Sequence, residues 1–140
     1  VPDLPPEEAE ELTANCREQN IANTFLIAPT STTPRMELVN RHTTGFVYCV
    51  SLTGVTGARG QMAEGVDEFM VTVRKHADKP LAIGFGISTP EHAREAAALA
   101  DGIIVGSAII NIMEQCGNES EMIREVGAYM ASLRAAIDQK

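Results

Sequence analysis

Residues 81–110 (LAIGFGISTPEHAREAAALADGIIVGSAII) constrain the fold more than any other part of the sequence. Two apolar runs, at residues 81–85 and 102–105, are too short for helices and are rich in β-branched or aromatic residues. Each run therefore predicts a buried strand. A turn and a helix are expected after each of them. The stretch thus predicts two consecutive strand–turn–helix units.

The first of these helices is expected to begin at Pro90, because a helix tolerates proline in its opening turn. Ser88 or Thr89 is the expected N-cap. Glu91 lies three residues after Ser88, which is the spacing of a capping box.

Both predicted strands end on a glycine followed by a hydroxyl residue, in the turns Gly86-Ile87-Ser88 and Gly106-Ser107. Glycine lets the backbone approach a ligand closely, and the first free N–H groups of the next helix point at that ligand. One such turn is weak evidence, because tight turns need glycine for local reasons. Two turns on successive units favour a single phosphate site, as in βα-barrels that bind phosphate after their last two strands.

The remaining pattern continues the alternation of strands and helices. Strand starts near residues 23, 45, 81 and 102 predict one parallel sheet with right-handed crossovers. A closed barrel needs about 250 residues, so one α/β domain at residues 1–140 is expected to form about the second half of a TIM (βα)8 barrel. That half would run from the end of strand four through the last helix. The expected segments are helices at 6–20, 34–42, 63–76 and 119–137 and strands at 23–28, 45–50, 81–85 and 102–105.

The composition excludes several classes of function. A net charge of −8 without a basic stripe argues against nucleic acid or an anionic membrane as a partner, and no apolar run approaches the length of a membrane span. The N-terminal residues do not have the pattern of a signal peptide. Three scattered cysteines predict buried, reduced thiols in a cytoplasmic protein, and three histidines without ligand spacing predict no metal site.

Residues 51–60 (SLTGVTGARG) form a glycine-rich segment after the second predicted strand. Three glycines and three hydroxyl residues cannot bury an apolar face, so this segment is expected to be a mobile loop. Composition leaves two interpretations equally open, a plain connector and a lid over substrate.

Six motifs resemble the α subunit of tryptophan synthase, in the same order from end to end of the chain. They are PDLP at 2–5, APT at 28–30, GFVY at 45–48, SLTGVTGA at 51–58, GFGIS at 84–88 and GSA at 106–108. The resemblance implies a TIM barrel that cleaves indole-3-glycerol phosphate to indole and glyceraldehyde 3-phosphate. It also implies a β subunit that receives the indole and carries pyridoxal phosphate, whereas the α subunit has no metal or cofactor.

The resemblance assigns roles residue by residue. Tyr48 would border the indole pocket and polarise the substrate, and Thr56 would be the lid threonine. Phe85 would line the ring pocket, and Asp3 would contact the β subunit. The phosphate-binding residues would be Gly57, Gly86, Gly106 and Ser107. Leu52 replaces the arginine of other family members, and no role is transferred to it.

The family's general acid/base glutamate belongs to the first half of the barrel and is absent from these residues. We therefore expect the isolated chain to be inactive and to associate with itself or with the absent N-terminal half. Two alternatives remain, another phosphate-binding βα-barrel enzyme, such as an isomerase of histidine or tryptophan synthesis, and a non-catalytic half-barrel for binding or assembly. The Gly-Val-Thr-Gly motif argues against the first of these.

Overall fold

A computed structural model describes residues 2–50, 65–84 and 86–138. Its sheet has four strands in the order β1-β2-β3-β4, and all three neighbouring pairs are parallel. The predicted parallel sheet is therefore confirmed. The strands are β1 (Leu26–Ile27), β2 (Val47–Val50), β3 (Leu81–Gly84) and β4 (Gly102–Ile103).

Helices alternate with the strands as predicted. A 3₁₀ helix (Pro6–Glu8) precedes α1 (Glu10–Glu18), so the single helix predicted at 6–20 is divided at Ala9. The remaining helices are α2 (Thr33–His42), α3 (Val66–His76), α4 (Pro90–Leu99), α5 (Ser107–Gln115) and α6 (Glu119–Ile137). Within the described residues, no helix has both the length and the apolar character needed to cross a membrane.

The strand register divides the sheet into two faces with different environments. Ile27, Cys49, Ile83 and Ile103 form one row across the strands, and the first three are fully buried. The neighbouring row, on the opposite face, consists of Leu26, Tyr48, Ala82 and Gly102. All of these except Ala82 are only half-buried. We call this second face the open face of the sheet.

The helices cover the other face with apolar side chains. The i, i+3, i+4, i+7 stripe of α3 is buried along its whole length, and α4 packs against α6 through small alanine side chains. The buried residues of α6 are Leu133 and Ala136. The α3 residues are Val66, Phe69, Met70 and Val73.

Polar contacts tie the amino ends of the strands together. The Asp101 carboxylate accepts hydrogen bonds from the Leu81 N–H and from Arg74 Nη1, both at 2.8 Å. The side-chain amide of buried Asn23 donates a hydrogen bond to the backbone carbonyl of His42 at 3.0 Å. The backbone carbonyl of Asn23 accepts a hydrogen bond from the Gly45 N–H. These contacts fix the starts of β1, β2 and β3.

The cysteines do not share one environment. Cys49 is fully buried in β2, and desolvation raises the pKa of its thiol to about 12. Cys16 and Cys116 are half-exposed, so the prediction that all three are buried is wrong. Cys16 lies in α1, and Cys116 follows the last residue of α5.

Candidate functional site

The turn after β3 requires glycine at one position. Gly86 has φ +67°, in the left-handed region, and a side chain added there would meet nothing within 4 Å. The strain of any L-residue with this φ therefore comes from its own backbone, at about 1–2 kcal/mol. Gly86 is exposed, so its backbone is open to a ligand.

Helix α4 begins immediately after this turn. Thr89 is its N-cap, and the Thr89 hydroxyl accepts a hydrogen bond from the His92 N–H at 3.2 Å. Pro90 occupies the first turn as predicted. Because Thr89 rather than Ser88 is the cap, the residue at capping-box spacing is His92, and the predicted capping box with Glu91 is wrong. Glu91 still favours the helix start electrostatically as an acidic residue in the first turn.

The turn after β4 ends at Gly106, the N-cap of α5. Gly106 has φ −124°, and a side chain added there would meet nothing within 4 Å. Neither backbone strain nor packing within the described residues explains this glycine. The carbonyl of Gly106 accepts from the Ile109 N–H at 2.9 Å, and no side chain caps the helix. Ser107 opens α5 and is exposed.

The two turns lie at the same end of the sheet, where the strands have their carboxyl ends. β3 pairs with β4 in parallel, with Ile83 opposite Ile103, and each strand leads directly into its turn. Gly86, Gly106 and Ser107 are therefore brought together at the carboxyl ends of adjacent strands. The N-termini of α4 and α5 both begin there. Their aligned peptide dipoles make this part of the surface favourable for an anion.

Tyr48 extends from β2 across the open face to Gly84 at the end of β3. A Cβ added at Gly84 would lie 2.5 Å from the Tyr48 hydroxyl oxygen and 2.6 Å from Cε2. Real Cβ atoms do not approach other atoms this closely, so only glycine leaves room for the ring. The register that places Val50 opposite Gly84 puts the hydroxyl near the carboxyl end of the sheet. Gly84 belongs to the GFGIS motif at 84–88, but the motif resemblance assigns no role to it. The structure adds it to the candidate site through its contact with Tyr48.

Asp3 lies in a turn near the start of the chain and is exposed. It lines a pocket of about 270 Å³ together with Leu26 of β1 and Arg35 of α2. Arg35 forms an ion pair with Glu7 on the 3₁₀ helix. Asp3 therefore lies beside β1, which is two strands away from β3 and three strands away from β4.

Four residues of the sequence interpretation, Leu52, Thr56, Gly57 and Phe85, lie outside the described residues. A larger open cleft of about 700 Å³ is lined by residues at the amino ends of β2 and β3, among them Thr44 and Lys79. It lies at the end of the sheet opposite to the glycine turns, so its size does not make it the candidate site. In the part of the chain that the structure describes, no three His, Cys, Asp or Glu side chains form a group suited to a metal ion.

Comparison with known proteins gives consistent results. The sequence profile of the tryptophan synthase alpha chain family matches residues 1–138. The tryptophan synthase alpha chain of Roseiflexus castenholzii (strain DSM 13941 / HLO8) is 45% identical over 134 residues, which cover 96% of this chain and 51% of the relative.

Solved structures share the fold. Tryptophan synthase subunit alpha from Legionella pneumophila str. Paris matches with a TM-score of 0.82 at 33% identity, over 99% of this chain and 50% of that one. A second match is a chain in the structure of the tryptophan synthase α2β2 complex from the hyperthermophile Pyrococcus furiosus. Its TM-score is 0.83 at 34% identity. That match covers 95% of this chain and 53% of the other. The chain thus spans about half the length of the relatives and solved structures that it matches.

Proposed function

The chain belongs to the tryptophan synthase alpha chain family, and we propose that it supplies the phosphate-binding half of a TIM barrel that cleaves indole-3-glycerol phosphate to indole and glyceraldehyde 3-phosphate. The resemblance read from the motifs is confirmed by the family match. The predicted fold, a partial TIM barrel corresponding to the second half, is confirmed by the solved structures. The reaction itself, its substrate and its partners are the proposal.

One observation carries this proposal, namely the position of two glycine turns at adjacent strand ends. Each turn leads into a helix N-terminus, which is equivalent to roughly half a positive charge. A phosphate dianion between the turns of Gly86 and Gly106 would accept hydrogen bonds from the free N–H groups of both helices. This local attraction outweighs the repulsion from the chain's net charge of −8. The N–H donors lie within contact distance of the anion, whereas most carboxylates are exposed elsewhere and screened by salt.

Tyr48 is the described residue best placed to act on the reacting part of the substrate. Its ring lies on the open face, and its hydroxyl lies over Gly84, immediately before the phosphate turn in the sequence. We assign it to the border of the indole pocket, where its hydroxyl polarises the substrate as the carbon–carbon bond breaks. Phe85 is proposed to line that pocket, Thr56 to close over the substrate as part of the lid, and Gly57 to contact the phosphate. Support for these three is the motif resemblance.

The cleavage is a retro-aldol reaction and needs two proton transfers. One proton is delivered to the indole ring carbon, and one is removed from the hydroxyl of the glycerol side chain, whose oxygen becomes the aldehyde of the product. In the family, a glutamate performs this acid–base work from the first half of the barrel. We propose that the same division holds here, so that this half binds the phosphate and positions the substrate while the other half supplies the proton transfers.

The proposed protein partner is the tryptophan synthase β subunit, contacted through Asp3. Pyridoxal phosphate is expected only in that partner. We further infer a cytoplasmic location, supported by the family's biosynthetic role and by a buried free thiol at Cys49.

The experiment compares Gly106→Val with Gly127→Val in the 140-residue chain. A valine at position 106 would project into the space proposed for the anion, whereas Gly127 lies in α6 with open space around it. Calorimetric titration with inorganic phosphate and glycerol phosphate should show affinity lowered at least tenfold, or about 1.4 kcal/mol, by Gly106→Val. Gly127→Val should bind as the unsubstituted chain does.

Circular dichroism checks that both variants retain the fold. Equal phosphate affinity in the two variants would remove the glycine turns from the proposed site.

A further inference from the structure

A polar cleft of about 700 Å³ lies at the amino ends of β2 and β3, and we call it the amino-end cleft. One wall is the last part of α2, and the other is the end of α3 together with the segment that leads into β3. α2 packs against α3, and β2 pairs with β3, so the cleft lies between elements that contact each other within this chain. Its volume is in the range of small-molecule sites, about 300–1,000 Å³.

Two contacts across the amino-end cleft hold its walls together. Asn40 Oδ1 on α2 accepts a hydrogen bond from the Asp78 N–H at 3.2 Å. Glu37 Oε1 on α2 lies 3.6 Å from Nδ1 of His76, the last residue of α3. Glu37, Asn40 and Arg41 have the spacing i, i+3, i+4, which places them on one face of α2. Contacts within the chain therefore fix the shape of the cleft.

A buried hydroxyl without a hydrogen-bond partner lines the amino-end cleft. Thr43 follows α2 directly and is 1% exposed, so it marks the floor of the cleft. The Thr43 N–H donates to the Val39 carbonyl at 2.9 Å, whereas the Thr43 Oγ1 has no partner among the described residues. The Thr44 hydroxyl, in contrast, accepts from the Asn23 N–H and donates to Asn23 Oδ1. Buried polar groups are normally paired, so a ligand with a polar atom at the floor would remove an unfavourable feature.

The amino-end cleft presents charges of both signs. Arg41 forms no ion pair within the described residues, so its guanidinium can hold a carboxylate through two parallel N–H donors. Glu37 and Asp78 supply exposed carboxylates. Asp78 lies 3.3 Å from Lys79 Nζ, but an exposed pair of this kind is weak and leaves one carboxylate oxygen available. α2 and α3 both end here, and the negative ends of their dipoles attract a cation.

We propose that the amino-end cleft binds a free α-amino acid. The carboxylate of the ligand lies on Arg41, its ammonium group lies beside Glu37 and Asp78, and the Thr43 hydroxyl pairs with one of these two groups. A simple anion would leave the two carboxylates and the helix ends without a partner, and a simple amine would leave Arg41 without one. The site lies at the end of the sheet opposite to the glycine turns, so it is separate from the proposed phosphate site and does not depend on the lyase activity.

The test is an NMR titration of the whole 140-residue chain with three matched probes, L-alanine, L-lactate and ethylamine. Lactate has a hydroxyl in place of the ammonium group of alanine, and ethylamine lacks the carboxylate. Alanine should bind saturably and about tenfold or more tightly than either of the other probes, because it alone pairs with both charges of the cleft. The amide signals of residues 40–44 and 76–79 should shift with alanine, while those of residues 86–89 and 106–108 should stay in place.

Two variants and a control test the named groups. Arg41→Gln removes the charge that holds the carboxylate and should weaken alanine binding about tenfold or more. Arg17→Gln removes an exposed arginine from the last turn of α1 and should bind alanine as the unsubstituted chain does. Thr43→Val keeps the shape of the side chain but removes the unpaired hydroxyl, and it should weaken alanine binding about threefold or more.

The unsubstituted chain and the three probes already decide the main point without any variant. The proposal is overturned if alanine does not saturate, if lactate or ethylamine binds as tightly as alanine, or if the shifted amides lie outside the cleft. It is also overturned if Arg41→Gln or Thr43→Val, shown by circular dichroism to be folded, binds alanine with unchanged affinity.

Discussion

Gly84 shows how one missing side chain can position another residue. The Tyr48 ring occupies the space in which a Cβ at position 84 would lie, 2.5 Å from the ring's hydroxyl oxygen. Tyr48 and Gly84 are on neighbouring strands, and the β2–β3 register brings them together. A glycine inside a strand usually weakens it, so its presence here is explained by the close approach of the tyrosine.

We expect Gly84→Ala to displace the Tyr48 ring and to lower the free energy of unfolding by about 1–3 kcal/mol, as overpacking does. Gly102→Ala is the matched control on the neighbouring strand, because its Cβ would meet only the Ala82 Cβ at 3.9 Å. Urea unfolding measures stability, and the NMR signals of the Tyr48 ring report its position. Unchanged stability together with unchanged Tyr48 signals in Gly84→Ala would contradict this account.

Asp101 makes stability depend on pH. The hydrogen bond from the Leu81 N–H, and then the bond from Arg74, lower the pKa of this carboxyl below its ordinary value. A lowered pKa in the folded state means that the unfolded state binds more protons at acidic pH, so the stabilisation is present above the ordinary pKa. It is lost as the pH falls through the lower, folded-state value.

Asp101→Asn should therefore reduce the free energy of unfolding near neutral pH by about 0.5–1 kcal/mol, a modest value because the carboxylate is half-exposed. The amide oxygen still accepts from Leu81, while the charge that faces Arg74 is lost. The difference from the unsubstituted chain should shrink as the pH is lowered towards 3 in denaturant titrations. Glu95→Gln, which replaces an exposed carboxylate on α4, is the control variant. A difference that stays constant with pH would mean that the charge of Asp101 contributes nothing.

At the residue scale, the sequence predicts local chemistry better than contacts between strands. The need for glycine at Gly86 follows from its left-handed turn, and a glycine-ended turn is visible in the sequence. The Tyr48–Gly84 contact depends on the register of two strands whose residues are far apart in the chain, which periodicity does not determine. The proposed roles of Thr56, Gly57 and Phe85 stay predictions, because these residues lie outside the described ranges.

At the element scale, the strongest patterns give the most accurate bounds. Helix α6 was predicted at residues 119–137 and forms at Glu119–Ile137. For the two outer strands, the predicted ranges are longer than the observed ones. β1 is predicted at 23–28 and forms at Leu26–Ile27, and β4 is predicted at 102–105 and forms at Gly102–Ile103. Within the described residues, both strands lie at an edge of the sheet and pair with one neighbour only, so an apolar run there is longer than the paired segment.

The start of α4 offers a test of capping at this scale. Thr89→Ala removes the hydroxyl that accepts from the His92 N–H and should lower the free energy of unfolding by about 1 kcal/mol. Ser88→Ala removes a hydroxyl from the exposed preceding residue and should change it by less than about 0.5 kcal/mol. Chemical unfolding of both variants in phosphate-free buffer makes the comparison. Equal losses would show that the cap is shared or lies at Ser88.

At the scale of the whole molecule, the proposed function divides binding and catalysis between different parts of a barrel. The turns of Gly86 and Gly106 and the Tyr48 ring come from strands within this chain. The chain matches about half the length of its relatives, and in the proposal the acid–base glutamate comes from the other half. Phosphate binding and turnover should therefore be separable in this protein.

We expect the 140-residue chain alone to release no indole from indole-3-glycerol phosphate, because the proposed function assigns the proton transfers of the retro-aldol step to the other half of the barrel. Adding the N-terminal half of the Roseiflexus castenholzii relative should restore turnover, since the part of that relative which matches this chain is 45% identical to it. The same mixture made with Gly106→Val should remain inactive at substrate concentrations that saturate the unsubstituted mixture, while Gly127→Val should behave normally. Indole is measured colorimetrically against each half alone. Release of indole by the isolated chain would mean that a residue within these 140 replaces the glutamate, and activity of the Gly106→Val mixture would mean that the phosphate is held elsewhere.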